Sequence, residues 1–186
     1  MGKISRRSFI KQSTVAGMGA IVAGGLTPGQ SELNAANTVD LSVVTGADYY
    51  KSTLKALQPL GGMERFVKKG VKVAVLANAQ RNNPGAFTNP DVLRAVLRMC
   101  WDAGAKTVDC ISWQPMDRCW QPTGLAEAVK KEKCNLRISN LKNEDLFKPV
   151  PVPNGERLKE ARIMKSLYDY DVLISVPVTK DHAGNK

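Results

Sequence analysis

Apolar residues along this chain change their period from two to nearly four and back again, and the changes mark out its elements. V-K-V-A-V-L-A-N, Val71 to Asn78, is a β-branched run with no solvent face, which predicts a parallel strand covered on both sides. A polar loop follows, Ala79 to Thr88. Asn89 is then placed to cap a helix that opens with Pro90 and Asp91, because proline loses nothing at a free N–H position and a carboxylate suits the positive end. Val92, Leu93, Val96, Leu97, Cys100 and Trp101 fall on one face of that helix, while Arg94, Arg98 and Asp102 fall on the other. Gly104 stops it, and T-V-D-C-I-S reads as the next strand. Strand, helix and strand in this order predict a right-handed parallel crossover.

The flanking segments extend the same alternation. Val39 to Val44 reads as a first strand and Tyr49 to Leu57 as a helix, with Gly61 and Gly62 breaking it. Met63, Phe66 and Val67 make a short helix ended by Gly70. After Ser112, W-Q-P-M-D-R-C-W-Q-P-T-G has no period and predicts a loop, whose Trp113 and Trp120 serve either as lid packing or as flat pocket walls. A helix from Leu125 to Lys133 and a strand from Leu136 to Ser139 are expected next, and V-P-V-P-N-G is expected to prevent regular structure. Leu158, Ala161, Met164, Leu167 and Tyr168 recur at helical spacing, predicting a helix from Glu156 to Tyr170. The last strand is V-L-I-S-V-P-V. Together these elements predict a three-layer α/β fold, a mostly parallel sheet with flanking helices. The final strand is apolar enough to need cover on both faces, yet only eight residues follow it. It is therefore expected to leave an apolar patch around Leu173 to Val178, and the domain is expected to be incomplete.

The first residues set the organisation of the chain. S-R-R-S-F-I-K, Ser5 to Lys11, precedes a glycine-rich apolar segment, Val15 to Leu26, that is too short and too weak to span a bilayer. Paired Arg6 and Arg7 followed by Phe, an aliphatic residue and Lys closely resemble the twin-arginine export signal. Residues 1–36 are thus expected to be a signal peptide cleaved near Asn34 to Asn37, and residues 37–186 the exported domain. The twin-arginine machinery is the implied partner and the periplasm the implied destination.

Composition narrows the function classes. With 186 residues, 43% of them hydrophobic and 24% charged, the chain can build one domain with a core. The net charge of +10 is shared between the leader and scattered surface bases such as Lys130, Lys131 and Lys133, so nucleic-acid binding is not expected. Cys100, Cys110, Cys119 and Cys134 form no C-x-x-C pair and have no histidine at ligand spacing, so neither a zinc site nor a ferredoxin-type cluster is encoded. Cys100 and Cys110 read as small buried hydrophobes, while Cys119 and Cys134 lie in more polar stretches where an exported protein can form a disulfide.

Ligands of open parallel sheets bind beyond the carboxyl ends of the strands. Three segments qualify: Asn78 with the loop to Thr88 and Asn89, Ser112 with the tryptophan loop, and T-K-D-H-A-G-N-K, Thr179 to Lys186. The last places Lys180, Asp181 and His182, the chain's one histidine, within four residues of one another. Signatures of Rossmann, P-loop, nucleophile-elbow and zincin proteins are absent. Asn89 also has a purely local reading as a helix cap.

From Val43 onward the chain resembles the DUF362 domain proteins. The resemblance is carried by A-L-Q-P-L-G-G before V-K-K-G-V-K-V-A-V-L-A-N, by T-N-P-D-V-L-R-A-V with D-A-G-A-K-T-V, and by D-V-L-I-S-V-P-V-T-K-D-H. It implies an α/β fold of undefined activity, some members of which carry or accompany ferredoxin-type iron-sulfur modules. Its matched polar positions are Asn78, Thr88, Asn89, Lys180 and His182. Relatives continue past the K-x-H strand with more of the sheet, which adds to the expectation of an incomplete domain. Two functions follow from these residues. In one, an enzyme acts on a small anionic substrate, with Lys180 holding the anion, His182 moving a proton, and Asn78 with Asn89 orienting the ligand. In the other, a non-catalytic accessory protein serves an iron-sulfur partner. No cofactor of the chain's own is specified.

Overall fold

The computed structural model describes residues 39–114 and 116–180, and the sheet lies in a unit spanning Val44–Lys186. The first helix, α1 (Tyr49–Leu57), is capped by Asp48, whose side chain accepts from the Lys51 N–H at 2.9 Å. A single 3-10 turn, Met63–Arg65, replaces the expected short helix and leads into β1 (Lys72–Ala77). Helix α2 (Pro90–Asp102) starts as its sequence dictates, with Pro90 in the first turn and the Asn89 side chain accepting from the Asp91 N–H at 2.8 Å. Gly104 follows it in the left-handed region, φ +86°, which turns the chain into β2 (Thr107–Trp113). After a 3-10 turn, α3 (Leu125–Lys131) leads to β3 (Asn135–Ser139).

Strands β1, β2 and β3 are parallel, and β6 (Val172–Val176) pairs parallel with the other side of β1, giving the order β3-β2-β1-β6. Both crossovers step the sheet in one direction, so the right-handed rule sends α2 and α3 to the same face. The packing agrees. Val73, Val75, Val108 and Cys110 bury against Leu93, Leu97 and Cys100 of α2 and against Leu125 and Val129 of α3. Helix α1 rests on α2, with the Arg94 guanidinium 5.3 Å from the Tyr50 ring centre. The fold is α/β, a mostly parallel sheet with flanking helices, consistent with a three-layer arrangement. On the sheet face away from this core, Ala74 and Asp109 are buried, Leu76, Ile111 and Trp113 are half-buried, and Leu173 is 54% exposed.

Two sequence expectations fail here. Val39 to Val44 is not a strand, and Leu41 and Val43 are exposed, because no described strand offers this segment a ladder. Glu156 to Tyr170 is not a helix. It contains β5 (Glu160–Met164) and a 3-10 turn, Lys165–Asp169, and β5 pairs antiparallel with β4 (Phe147–Pro151). Of V-P-V-P-N-G only Val150 and Pro151 enter β4, and Val152 to Gly155 has no regular structure, as its prolines and glycine predict. In a two-stranded ribbon every strand is an edge, and Pro149 and Pro151 share the parity that turns the missing N–H outward. The even positions do the bonding, as in the Val152 N–H to Lys159 carbonyl bond of 2.8 Å that continues the ladder. The last strand is shorter than expected and lies at a sheet edge, without a neighbour beyond it among the described residues.

Candidate functional site

The carboxyl ends of β1, β2 and β6 converge on a cleft of about 280 Å³. Leu76, Ala77, Trp113, Pro177 and Val178 form its apolar walls. Asn78, Gln80, Ser175 and Lys180 supply its polar groups, and no described carboxylate lines it. Position in the sheet explains this membership. Leu76, Trp113 and Ser175 project from the face opposite the helices, whereas Asn78 and Pro177 follow directly on strand ends and Lys180 lies four residues past the end of β6.

A closed set of hydrogen bonds fixes the loop beside the cleft. The Thr88 N–H donates to the Asn78 carbonyl and the Asn78 N–H donates to the Thr88 hydroxyl, both at 2.9 Å. The hydroxyl in turn donates to the Val176 carbonyl at 2.6 Å. One threonine thus ties the end of β1 to the end of β6, and it is 1% exposed. The Asn78 side-chain amide and the Lys180 ammonium both donate to the Ala86 carbonyl at 3.0 Å, which holds Lys180 across the loop.

The structure therefore sorts the residues singled out from sequence. Asn78 and Lys180 meet at the cleft. Thr88 does not line it and is buried with its hydroxyl engaged on both sides, and the Asn89 carboxamide is turned to the first turn of α2. Arg6, Arg7, Asp181 and His182 lie outside the described residues. The two loop tryptophans separate: Trp120 is buried and donates its indole N–H to the Ser112 hydroxyl at 2.8 Å, while Trp113 faces the cleft.

Sequence reading passed over Asp109, a carboxylate inside the apolar strand β2. It is 2% exposed and accepts from the Asn135 amide at 2.8 Å, the Tyr170 hydroxyl at 2.7 Å and the Arg137 guanidinium. Burial alone pushes its pKa up, but the hydrogen bonds from Asn135, Tyr170 and Arg137 more than offset this and hold it below the usual carboxylate range. Tyr170 is pushed up to about 12 by burial and by the carboxylate it donates to. The lone acid in T-V-D-C-I-S was the available signal, since a charge at such a position needs donors. The cluster joins β2, β3 and the entry to β6.

All four cysteines are free thiols. Cys119 is buried, and Cys134 instead accepts from the Trp101 indole N–H at 3.2 Å, so the Cys119–Cys134 bridge is not formed. Burial pushes the Cys100 thiol up to about 12 and the Cys134 thiol up to about 11. Among the described residues no three His, Cys, Asp or Glu side chains are grouped to hold a metal ion.

The profile of the family described as "Domain of unknown function (DUF362)" matches residues 70–186, which contain the cleft, the loop clamp and the whole four-stranded sheet. The chain belongs to the DUF362 family. This DUF362 protein is 31% identical over 137 residues to the thylakoid-associated protein sll1697 of Synechocystis sp., an alignment covering 68% of the chain and 39% of the relative. It thus spans well under half the length of that relative. No solved structure matches it.

Proposed function

We propose that this DUF362 protein is exported by the twin-arginine route and acts on a small anionic substrate in the cleft at the strand carboxyl ends. The observation that carries the reading is the Lys180 ammonium, which stands at a cleft that no described carboxylate lines and is steadied by the Ala86 carbonyl. An anion entering there gains a charge-assisted hydrogen bond in a partly apolar setting. The Asn78 amide shares the same carbonyl, and Gln80 and Ser175 add neutral polar groups that orient the ligand. His182, two residues beyond Lys180, is assigned the proton-carrying role, since an imidazole changes charge near neutral pH. Thr88 and Asn89 contribute by shaping the loop and helix that border the ligand.

Calorimetric titration with acetate and with inorganic phosphate tests the anion site. Lys180→Met should weaken both by roughly tenfold or more, the worth of a hydrogen bond to a charged group. Equal affinity in both proteins would refute the reading. Export is tested separately: replacing Arg6 and Arg7 together by Lys keeps the charge and should abolish appearance outside the cytoplasm. Location of the Synechocystis relative at thylakoids supports a site at or across a membrane, and no described helix is long and apolar enough to cross one.

A further inference from the structure

We infer that the substrate carries a flat apolar body, as an aryl carboxylate does, which lies against the Trp113 indole while its anionic end meets Lys180. The inference rests on the anion-binding reading of the same cleft and specifies the chemical class of its ligand. Most of the cleft wall is carbon, from Leu76, Trp113, Pro177 and Val178. A fully hydrated small ion would leave that carbon wet and gain nothing from it. At about 280 Å³ the cleft is also far larger than a phosphate or acetate needs.

Trp113 is the group that gives the cleft its shape selectivity. It is the last residue of β2, held in register opposite Ser139 of β3, so its ring is positioned by a strand and not by a loop that must first be ordered. The other two tryptophans are committed elsewhere: Trp101 donates to the Glu132 carbonyl at 2.9 Å and Trp120 donates to Ser112. Trp113 is half-buried and lines the cleft. Strands β2 and β6 flank β1, which sets their ends two strand spacings apart, about 10 Å. Lys180 lies beyond the β6 end with its ammonium on the Ala86 carbonyl that the Asn78 amide at the β1 end also holds, and Trp113 stands at the end of β2. A ligand that meets both therefore bridges from the β1 and β6 side of the cleft to the β2 side and is longer than acetate. A bicyclic aryl acid has the required reach and flatness.

The test compares naphthoate, acetate and uncharged naphthylmethanol on the full chain and on Trp113→Ala, Trp113→Phe and Lys180→Met variants, with circular dichroism confirming that each variant is folded. Naphthoate should bind about tenfold tighter than acetate, the contribution expected of one aromatic contact plus its buried area. Trp113→Ala should bring naphthoate down to the acetate level and leave acetate unchanged, while Trp113→Phe should keep most of the gain. Naphthylmethanol should bind more weakly than naphthoate, and Lys180→Met should close that gap. If naphthoate binds no tighter than acetate, or if Trp113→Ala leaves naphthoate unaffected, the aryl inference is wrong even where acetate still depends on Lys180. If Lys180→Met weakens neither anion, the anion reading fails, and the planar-anion proposal fails with it.

Discussion

Thr88→Val replaces a hydroxyl by a methyl of nearly the same size, in a side chain that is 1% exposed. No cavity opens, so the cost is confined to the two backbone groups that the hydroxyl serves: the Asn78 N–H at 2.9 Å and the Val176 carbonyl at 2.6 Å. Leaving one buried polar group unpaired costs about 1–3 kcal/mol. Val176 is buried, whereas Asn78 is only half-buried and recovers part of its loss from water, so the total should be about 2–4 kcal/mol. Thr88→Ser keeps both hydrogen bonds and removes one methyl, for about 1 kcal/mol. Urea unfolding followed by far-ultraviolet circular dichroism gives both values, provided the slope with denaturant is unchanged. The valine variant should lose clearly more than the serine variant. Equal losses, or a valine variant as stable as the parent, would show that the hydroxyl does not join β1 to β6 and that the cleft floor is held in some other way.

Three further outcomes follow from other parts of the molecule. Asn89→Ala should lower stability by about 1 kcal/mol and Asn89→Asp should be nearly neutral, since either native or acidic side chain accepts from the Asp91 N–H; equal losses in urea unfolding would remove the cap. Asp109 has a folded pKa below its unfolded value near 4, so its contribution is complete above about pH 4 and fades as pH falls through the folded pKa. Asp109→Asn should therefore be less stable than the parent near neutrality and show a flatter stability profile in acid; parallel profiles would argue against the buried carboxylate. With its pKa near 11, Cys134 should react with iodoacetamide at about pH 8 roughly a hundredfold more slowly in the native protein than after denaturation, as mass spectrometry of the labelled chain would show.

Much of this fold is legible because its signals are local. The N-cap at Asn89 with Pro90 and Asp91, the apolar face of α2 and the stop at Gly104 each depend on residues within one or two turns, and all appear where the sequence places them. The β-branched run of β1 is of the same kind. The expectations that failed depend on a partner distant in sequence. Ala161 fits the helical period with Met164 and the strand period with Ile163, and pairing with Phe147 to Pro151 decided for the strand. Val39 to Val44 has strand composition but no ladder among the described residues.

The site divides in the same way. Residue types in the sequence nominated Asn78 and Lys180, because cations and amides at strand ends are what a ligand needs. Only the tertiary structure spent Thr88 on the backbone of β1 and β6, sent Trp120 into the core and Trp113 to the cleft, and assembled Asn135, Arg137 and Tyr170 around Asp109. Sequence fixes which groups can donate, accept or stack. Which of them is consumed internally and which is left facing a cleft depends on strand order and register, and those are settled by long-range packing that no local window contains.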